Sequence, residues 1–224
     1  MTLVDGENKI RQVAPTLDGI REDHLARYRY AAARARAGGL TWAFDIGCGV
    51  GYGSWILADE AGLLVCGFDR DAAAIEYGET HYRHMTVLRA VRDLAVHNIW
   101  PPPRALGDIG VPRFGLIAAF DIIEHSADAP AFLARAARNA WLLVGSVPNQ
   151  DVVPFVPGKA NPEHVRHYTP AEIRAELAGT GWRVVMLGCQ TAKRGAAAGV
   201  REDTTAGRTL VFVAESKHVS GAAR

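Results

Sequence analysis

Between positions 44 and 53 the chain reads Phe-Asp-Ile-Gly-Cys-Gly-Val-Gly-Tyr-Gly. An apolar run over 42–46 carries an acid at Asp45 and then meets glycines at 47, 49, 51 and 53, beyond which 54–61 reads as a helix. Glycine at alternate positions permits a tight turn and lets a ligand approach where a Cβ would collide. The free N–H groups at the start of the following helix can hold a negatively charged ligand group. Strand, ligand-cradling turn and helix, in that order, restrict the chain to folds that expose the end of a buried strand.

The rest of the sequence alternates apolar runs with helical patterns, the mark of a parallel sheet covered on both faces. A helix is expected over 18–37, with His24, Tyr28, Ala32 and Ala35 on one face and Gly38-Gly39 as its stop. Strands follow at 42–46, 63–68, 86–91, 114–120 and 141–147, with helices at 71–81 and 128–138 between them. Thr169-Pro170-Ala171-Glu172 reads as a capping box with proline at the first helical position, so a helix should run to about 178. Two late strands are expected at 182–187 and 209–215, separated by an Ala/Gly/Arg loop. The stretch 95–113, with Pro101-Pro102-Pro103, is irregular. The first four strands each finish on or next to a carboxylate: Asp45, Asp69, Asp93 and Asp121. Ligands bind beyond the carboxyl ends of strands in such sheets. Acids are common there as helix caps as well, but four in a row suit a ligand with hydroxyls, an ammonium and an amine-bearing ring.

The dinucleotide fingerprint Gly-x-Gly-x-x-Gly would need glycine where Tyr52 stands. The order found here, an acid followed by Gly-x-Gly-x-Gly, resembles the first motif of class I S-adenosylmethionine-dependent methyltransferases. The resemblance runs from about position 24 to 215. It implies an α/β fold with a Rossmann-like, seven-stranded, mostly parallel sheet, an antiparallel last strand and helices on both faces. Residues 1–40 would form an N-terminal helix packed on the core, 41–216 the methyltransferase domain and 217–224 a flexible tail, a single domain in all. It further implies S-adenosylmethionine as cofactor and S-adenosylhomocysteine as product. Asp69, twenty positions after Gly49, matches the acid that accepts both ribose hydroxyls, with Arg70 beside it. Asp45 would face the methionine ammonium, directly or through water, over the backbone of Gly47, Cys48 and Gly49. Asp93 would accept the adenine amine, although Val-Arg-Asp-Leu replaces the usual Gly-Asp-Ala context. Phe120, Tyr28 and Tyr52 would flank the cofactor, whereas Trp55 and Tyr82 read as core.

The segment Phe120-Asp121-Ile122-Ile123-Glu124-His125 resembles one branch of the family. Ser146-Val147-Pro148-Asn149 and Asn161-Pro162-Glu163-His164 through Tyr168-Thr169 fit the same branch, many of whose members act on sugars, glycans or small hydroxylated metabolites. The Lys/Arg-Pro-Gly-Gly turn usual before strand five is missing. Methyl transfer to a hydroxyl needs the nucleophile in line with the C–S bond at ~3–3.5 Å and benefits from a base. Histidine suits that task near neutral pH. His125, His164 and His167 fall on loops at the ligand edge and are the expected catalytic residues, one as base and another to orient the acceptor. Glu124 is expected to anchor its loop. Asp121, Glu124, His125 and His164 also resemble the metal site of small-RNA 2′-O-methyltransferases. Asp121 is shorter than the Glu expected there, however, and the chain has no room for RNA-binding extensions, so no metal is expected.

Bulk properties narrow the partners. A formal net charge of +1 over 224 residues gives no electrostatic reason to bind nucleic acid or a membrane surface. No apolar run approaches the ~20 residues needed to span a bilayer, and residues 1–10 lack a signal-peptide pattern. Three cysteines without metal spacing fit a reducing cytoplasm. The expected acceptor is a small molecule or sugar. The Lys193, Arg194, Arg201 and Arg208 loop suits an acidic one if it is more than a solvated loop. N-methylation, RNA 2′-O-methylation and a non-catalytic cofactor-binding role are the alternatives, and a homodimer is allowed for.

Overall fold

A computed structural model describes residues 12–91, 115–158 and 161–219 of the chain. Helix α1 (Glu22–Ala37) precedes β1 (Trp42–Ile46), α2 (Tyr52–Ala61), β2 (Leu64–Asp69), α3 (Ala72–His81) and β3 (Val87–Val91). Then come β4 (Leu116–Phe120), α4 (Ala129–Asn139), β5 (Leu142–Pro148), α5 (Pro170–Gly179), β6 (Trp182–Gln190) and β7 (Thr209–Ser216). The strands form one sheet in the order β3-β2-β1-β4-β5-β7-β6. Pairs β3-β2, β2-β1, β1-β4 and β4-β5 are parallel, and β7 runs antiparallel to both neighbours. This is the expected Rossmann-like sheet. Its order turns back between β1 and β4, so a crevice opens past their carboxyl ends.

Alternation along the strands divides the interior into two layers. Ala43, Val65, Leu116, Ala118, Val144 and Val211 face α1, α2 and α3, where Ala31, Ile56 and Leu57 meet them. Trp42, Phe44, Ile117, Leu143 and Phe212 face the other way, against α4 and α5. Strands β1 and β4 are buried at every position, as strands covered on both faces must be. Helix α4 buries Ala129, Phe132, Leu133, Ala136 and Ala137, a stripe at three- and four-residue spacing that packs on the sheet. The capping box at Thr169 and Glu172 is present in full, and Asp71 caps α3 by accepting from Ala73 and Ala74.

Helix α1 starts four residues later than the sequence suggests. Leu17–Gly19 is a separate 3-10 turn, and Ile20 is extended and buried. Gly19 folds so tightly against Ala14 that a Cβ there would come 2.5 Å from the alanine Cβ. Burial of Ile20 thus breaks the helix before Glu22. Strand β6 extends to Gln190 rather than 187. Cys189 pairs with Arg201, and the Gln190 amide donates to the carbonyls of Asp23 (2.9 Å) and Ala198 (2.5 Å). Lys217 and His218, assigned to the tail on sequence, donate hydrogen bonds to Gly181, Ala178 and Ser216. Asp93 and the 95–113 stretch lie outside the described residues.

Candidate active site

The turn after β1 is held open by three left-handed glycines: φ is 69° at Gly47, 56° at Gly49 and 85° at Gly51. The N–H groups of Gly47 and Cys48 both donate to Phe68 O, at 2.7 and 2.9 Å. Gly49 N–H donates to Asp69 Oδ2 at 2.8 Å, and Asp71 N–H to Oδ1 at 2.9 Å. The carboxylate closing β2 is therefore locked beside the turn. A Cβ on Gly47 would strike Ile122 at 2.0 Å and one on Gly51 would strike Arg89 at 2.4 Å, whereas one on Gly49 would meet nothing within 4 Å. Gly49 therefore borders open space at the amino end of α2.

Asp45 is fully buried. Its oxygens accept from Tyr28 Oη at 2.9 Å and Ser54 Oγ at 2.6 Å. Burial raises its pKa to about 6, against the pull of Ser54 and Tyr28. What it offers a ligand is thus a charge set behind the turn, relayed through Tyr28. The Tyr28 ring packs edge-on against Tyr52 and Phe120, and a Cβ on Gly53 would fall 2.0 Å from it. Tyr52 Oη meets His24 Nδ1 at 2.9 Å. Tyr28 thus touches Asp45, Tyr52 and Phe120, and the turn of Gly47, Cys48 and Gly49 is tied to Phe68 and Asp69. Arg70 sits beside Asp69 but reaches across to Glu163 in the β5–α5 connection.

Past β4, Asp121 adopts φ 54°, the one non-glycine with positive φ among the described residues, a conformation that aspartate tolerates better than most. Arg27 Nη1 donates to both Asp121 oxygens, at 2.7 and 2.8 Å, and to Ser146 Oγ at 2.7 Å. Burial alone would raise the Asp121 pKa, but Arg27 overrides it and holds the carboxyl well below its usual range. Sequence reasoning missed Arg27. Its signal was an arginine inside the small, apolar stripe of α1, one turn from Ala31 and two from Ala35.

Beyond Asp121 a 3-10 turn, Ile123–His125, faces the β5–α5 connection. One ligand atom from each of Glu124, His125 and His164 lies within 4.8 Å of the other two. His164 Nδ1 is 2.9 Å from His167 Nε2, and His167 Nδ1 is 2.6 Å from Val153 O. A carbonyl only accepts, so His167 carries a proton on Nδ1. In the arrangement where its Nε2 accepts, His164 donates from Nδ1 and keeps a lone pair on Nε2. Burial, then His125 and His167, lower the His164 pKa to about 4, and burial lowers that of His125. Both are neutral at pH 7. Glu124 anchors its loop as expected, but through its carbonyl, which accepts from Val165 N–H at 2.8 Å. Its fully buried carboxylate has no hydrogen-bond partner, and burial, then Asp121, raise its pKa well above the usual range.

A doubly wound sheet with a glycine turn after β1 and a locked acid after β2 defines the nucleotide-binding methyltransferase class of fold. The sequence matches the family described as "Methyltransferase domain" over residues 23–187, most of the chain. A probable S-adenosylmethionine-dependent methyltransferase of Mycolicibacterium smegmatis is 27% identical over 194 residues, covering 80% of this chain and 70% of that one. Among solved structures, the methyltransferase domain of bacterial CtHen1-C superposes with a TM-score of 0.60 at 16% identity, covering 87% of this chain and 98% of that one. The N-terminal domain of EvdMO1, crystallised with S-adenosylhomocysteine and D-fucose, gives 0.56 at 17% identity, covering 87% and 83%. The chain belongs to the methyltransferase-domain family, and it is an S-adenosylmethionine-dependent methyltransferase. The site fits that cofactor: a Cβ on Gly49 would meet nothing within 4 Å, and the Asp69 carboxylate stands beside it, held by the Gly49 N–H. No described helix is long and apolar enough to cross a membrane.

Proposed function

We propose that the protein methylates a hydroxyl on a small molecule or sugar in a biosynthetic reaction, and that the histidines past β4 and β5 activate that hydroxyl. Bound S-adenosylmethionine supplies an electrophilic methyl group on a sulfonium. Asp69 would accept from the ribose hydroxyls, the 47–49 backbone would hold the methionine portion, and Tyr28, Tyr52 and Phe120 would flank the cofactor and exclude water. Arg70, through its ion pair with Glu163, spans the crevice from the cofactor side to the histidine loop. Asp93 remains the proposed partner of the adenine amine.

The observation that supports the reading is the Val153–His167–His164 chain, which holds both rings in place and lets His164 keep a lone pair on Nε2 when His167 accepts. A neutral imidazole so oriented would take the acceptor's proton at Nε2, and His167 would share the resulting charge. His125, 4.6 Å from His164 between ring centroids, orients the acceptor. A sugar acceptor is supported by the segments shared with the sugar- and glycan-modifying branch, and EvdMO1 is a structural neighbour crystallised with D-fucose. Three free thiols, Cys48, Cys66 and Cys189, fit a cytoplasmic site of action. The test is turnover of labelled cofactor against a panel of sugars and hydroxylated metabolites. His125→Ala and His164→Ala should each reduce turnover by 10²–10⁴-fold. Full turnover in both variants would overturn the role of the histidines, and transfer only to amines would overturn that of the hydroxyl.

A further inference from the structure

We propose that Arg70 anchors a carboxylate carried by the acceptor, so that the substrate is a small hydroxy acid and the carboxylate of Glu163 is its internal stand-in. The inference rests on the hydroxyl-methylating reading above and names the class of acceptor.

The chain itself places one carboxylate at this point. Arg70 Nη2 donates to Glu163 Oε1 at 2.5 Å, and Glu163 Oε2 stands 3.9 Å from His125 Nδ1. A single carboxylate thus lies between a guanidinium at the end of β2 and an imidazole past β4. The His125 ring packs edge-on against His164, at 4.6 Å between centroids, and His164 is the residue proposed to take the acceptor's proton. A carboxylate in the place of Glu163 and a hydroxyl at His164 would therefore be near neighbours on one small skeleton.

The hold on Glu163 is light. Its side chain is 47% exposed and that of Arg70 58%, and ion pairs so open to water contribute little. One hydrogen bond joins the two, although a guanidinium offers five donors in a planar fork. A ligand carboxylate that meets the fork with both oxygens gains a geometry that Glu163 does not use. The Glu163 side chain can turn into solvent while its N–H stays on Asn161 Oδ1, at 3.0 Å. Nearby cations are already engaged: Arg27 by Asp121, and Arg166 by Glu172 and Glu176. With the acid bound, His125 would donate from Nδ1 to one of its oxygens, which gives a physical form to the orienting role assigned above.

The test uses the full chain with S-adenosylhomocysteine bound. Glycolate, the smallest hydroxy acid, is titrated at pH 7 while the His125 ring resonances are followed by nuclear magnetic resonance. It should bind Glu163→Ala about 2–5-fold more tightly than the wild type, since the internal competitor is gone, and Arg70→Gln should abolish the response. Turnover is then measured on acids paired with their primary amides, glucuronate with glucuronamide and salicylate with salicylamide. The acid of a pair should be the better acceptor, and Arg70→Gln should raise the KM of the acid ~10-fold more than that of the amide. A merely structural role for Arg70 would weaken both alike. Absence of glycolate binding, binding unchanged in both variants, or no acid methylated faster than its amide would each overturn the proposal. Equal transfer to acids and amides sinks the carboxylate site alone and leaves hydroxyl methylation standing. Transfer only to amines sinks hydroxyl methylation, and the hydroxy acid with it.

Discussion

Gly49 and Gly53 look alike in sequence and do different work. Gly49 borders open space in a left-handed conformation, so Gly49→Ala costs about 1–3 kcal/mol of strain and aims its methyl at the ligand. Calorimetry should show S-adenosylhomocysteine binding lost while the variant stays folded. Gly53 lies under the Tyr28 ring, and Gly53→Ala displaces that ring at a cost of about 1–3 kcal/mol, visible first as a lower melting temperature. Asp69→Asn removes a charged acceptor worth about 1.5–3 kcal/mol and should weaken the same ligand ~10–100-fold. Histidines set the acid limit of the fold. Burial, then Arg27, lower the His24 pKa from 6.5 to about 3, and His164 falls to about 4. Between these values and 6.5 the unfolded chain binds more protons than the folded one, so stability falls on acidification through that window. Asp45, raised from 3.8 to about 6, and Glu124, raised well above its usual range by burial, act in the opposite sense. The part due to His24 is isolated by comparison: between pH 7 and 5 the melting temperature of His24→Asn should fall less, or rise more, than that of the wild type.

Among the elements, helix α5 begins where the histidine loop ends. Its capping box fixes the angle at which residues 161–169 return, so Thr169→Ala should cost about 1 kcal/mol and reduce turnover more than it reduces cofactor binding. The strands, the glycine turn and this cap were legible in sequence because each is a local signal: an apolar run, a spacing, a four-residue motif. Strand β1 is found where its apolar run predicts it. Sequence also placed His125, His164 and His167 on loops past strand ends, where His125 and His164 and then His164 and His167 are found side by side. It could not show that His167 is held on Val153 O, because that contact spans fourteen positions of sequence. Nor could it show that Arg27 reaches Asp121, 94 positions away, or that Arg70 turns from its neighbour Asp69 to Glu163. These pairings depend on how helices and loops close over the sheet, and no local periodicity encodes that.

At the scale of the whole molecule, α1 lies over the switch point of the sheet and presents two successive side chains to it. Arg27, 1% exposed, balances Asp121, and removing one member of a buried pair costs about 3–5 kcal/mol. Arg27→Met should therefore lower the melting temperature steeply. Arg27→Met combined with Asp121→Asn should recover part of that loss, which a double-mutant cycle would measure. Tyr28 reaches Asp45 beside the glycine turn, while its neighbour reaches Asp121 past β4, the sides proposed for cofactor and acceptor. One turn of helix thus senses both halves of the crevice, and the two ligands should report to each other through it. If spent cofactor settles that turn and tightens the acceptor by some factor, the acceptor must tighten the spent cofactor by the same factor. Paired titrations that give unequal factors would mean that the helix is a passive cover and carries no message between the two sites.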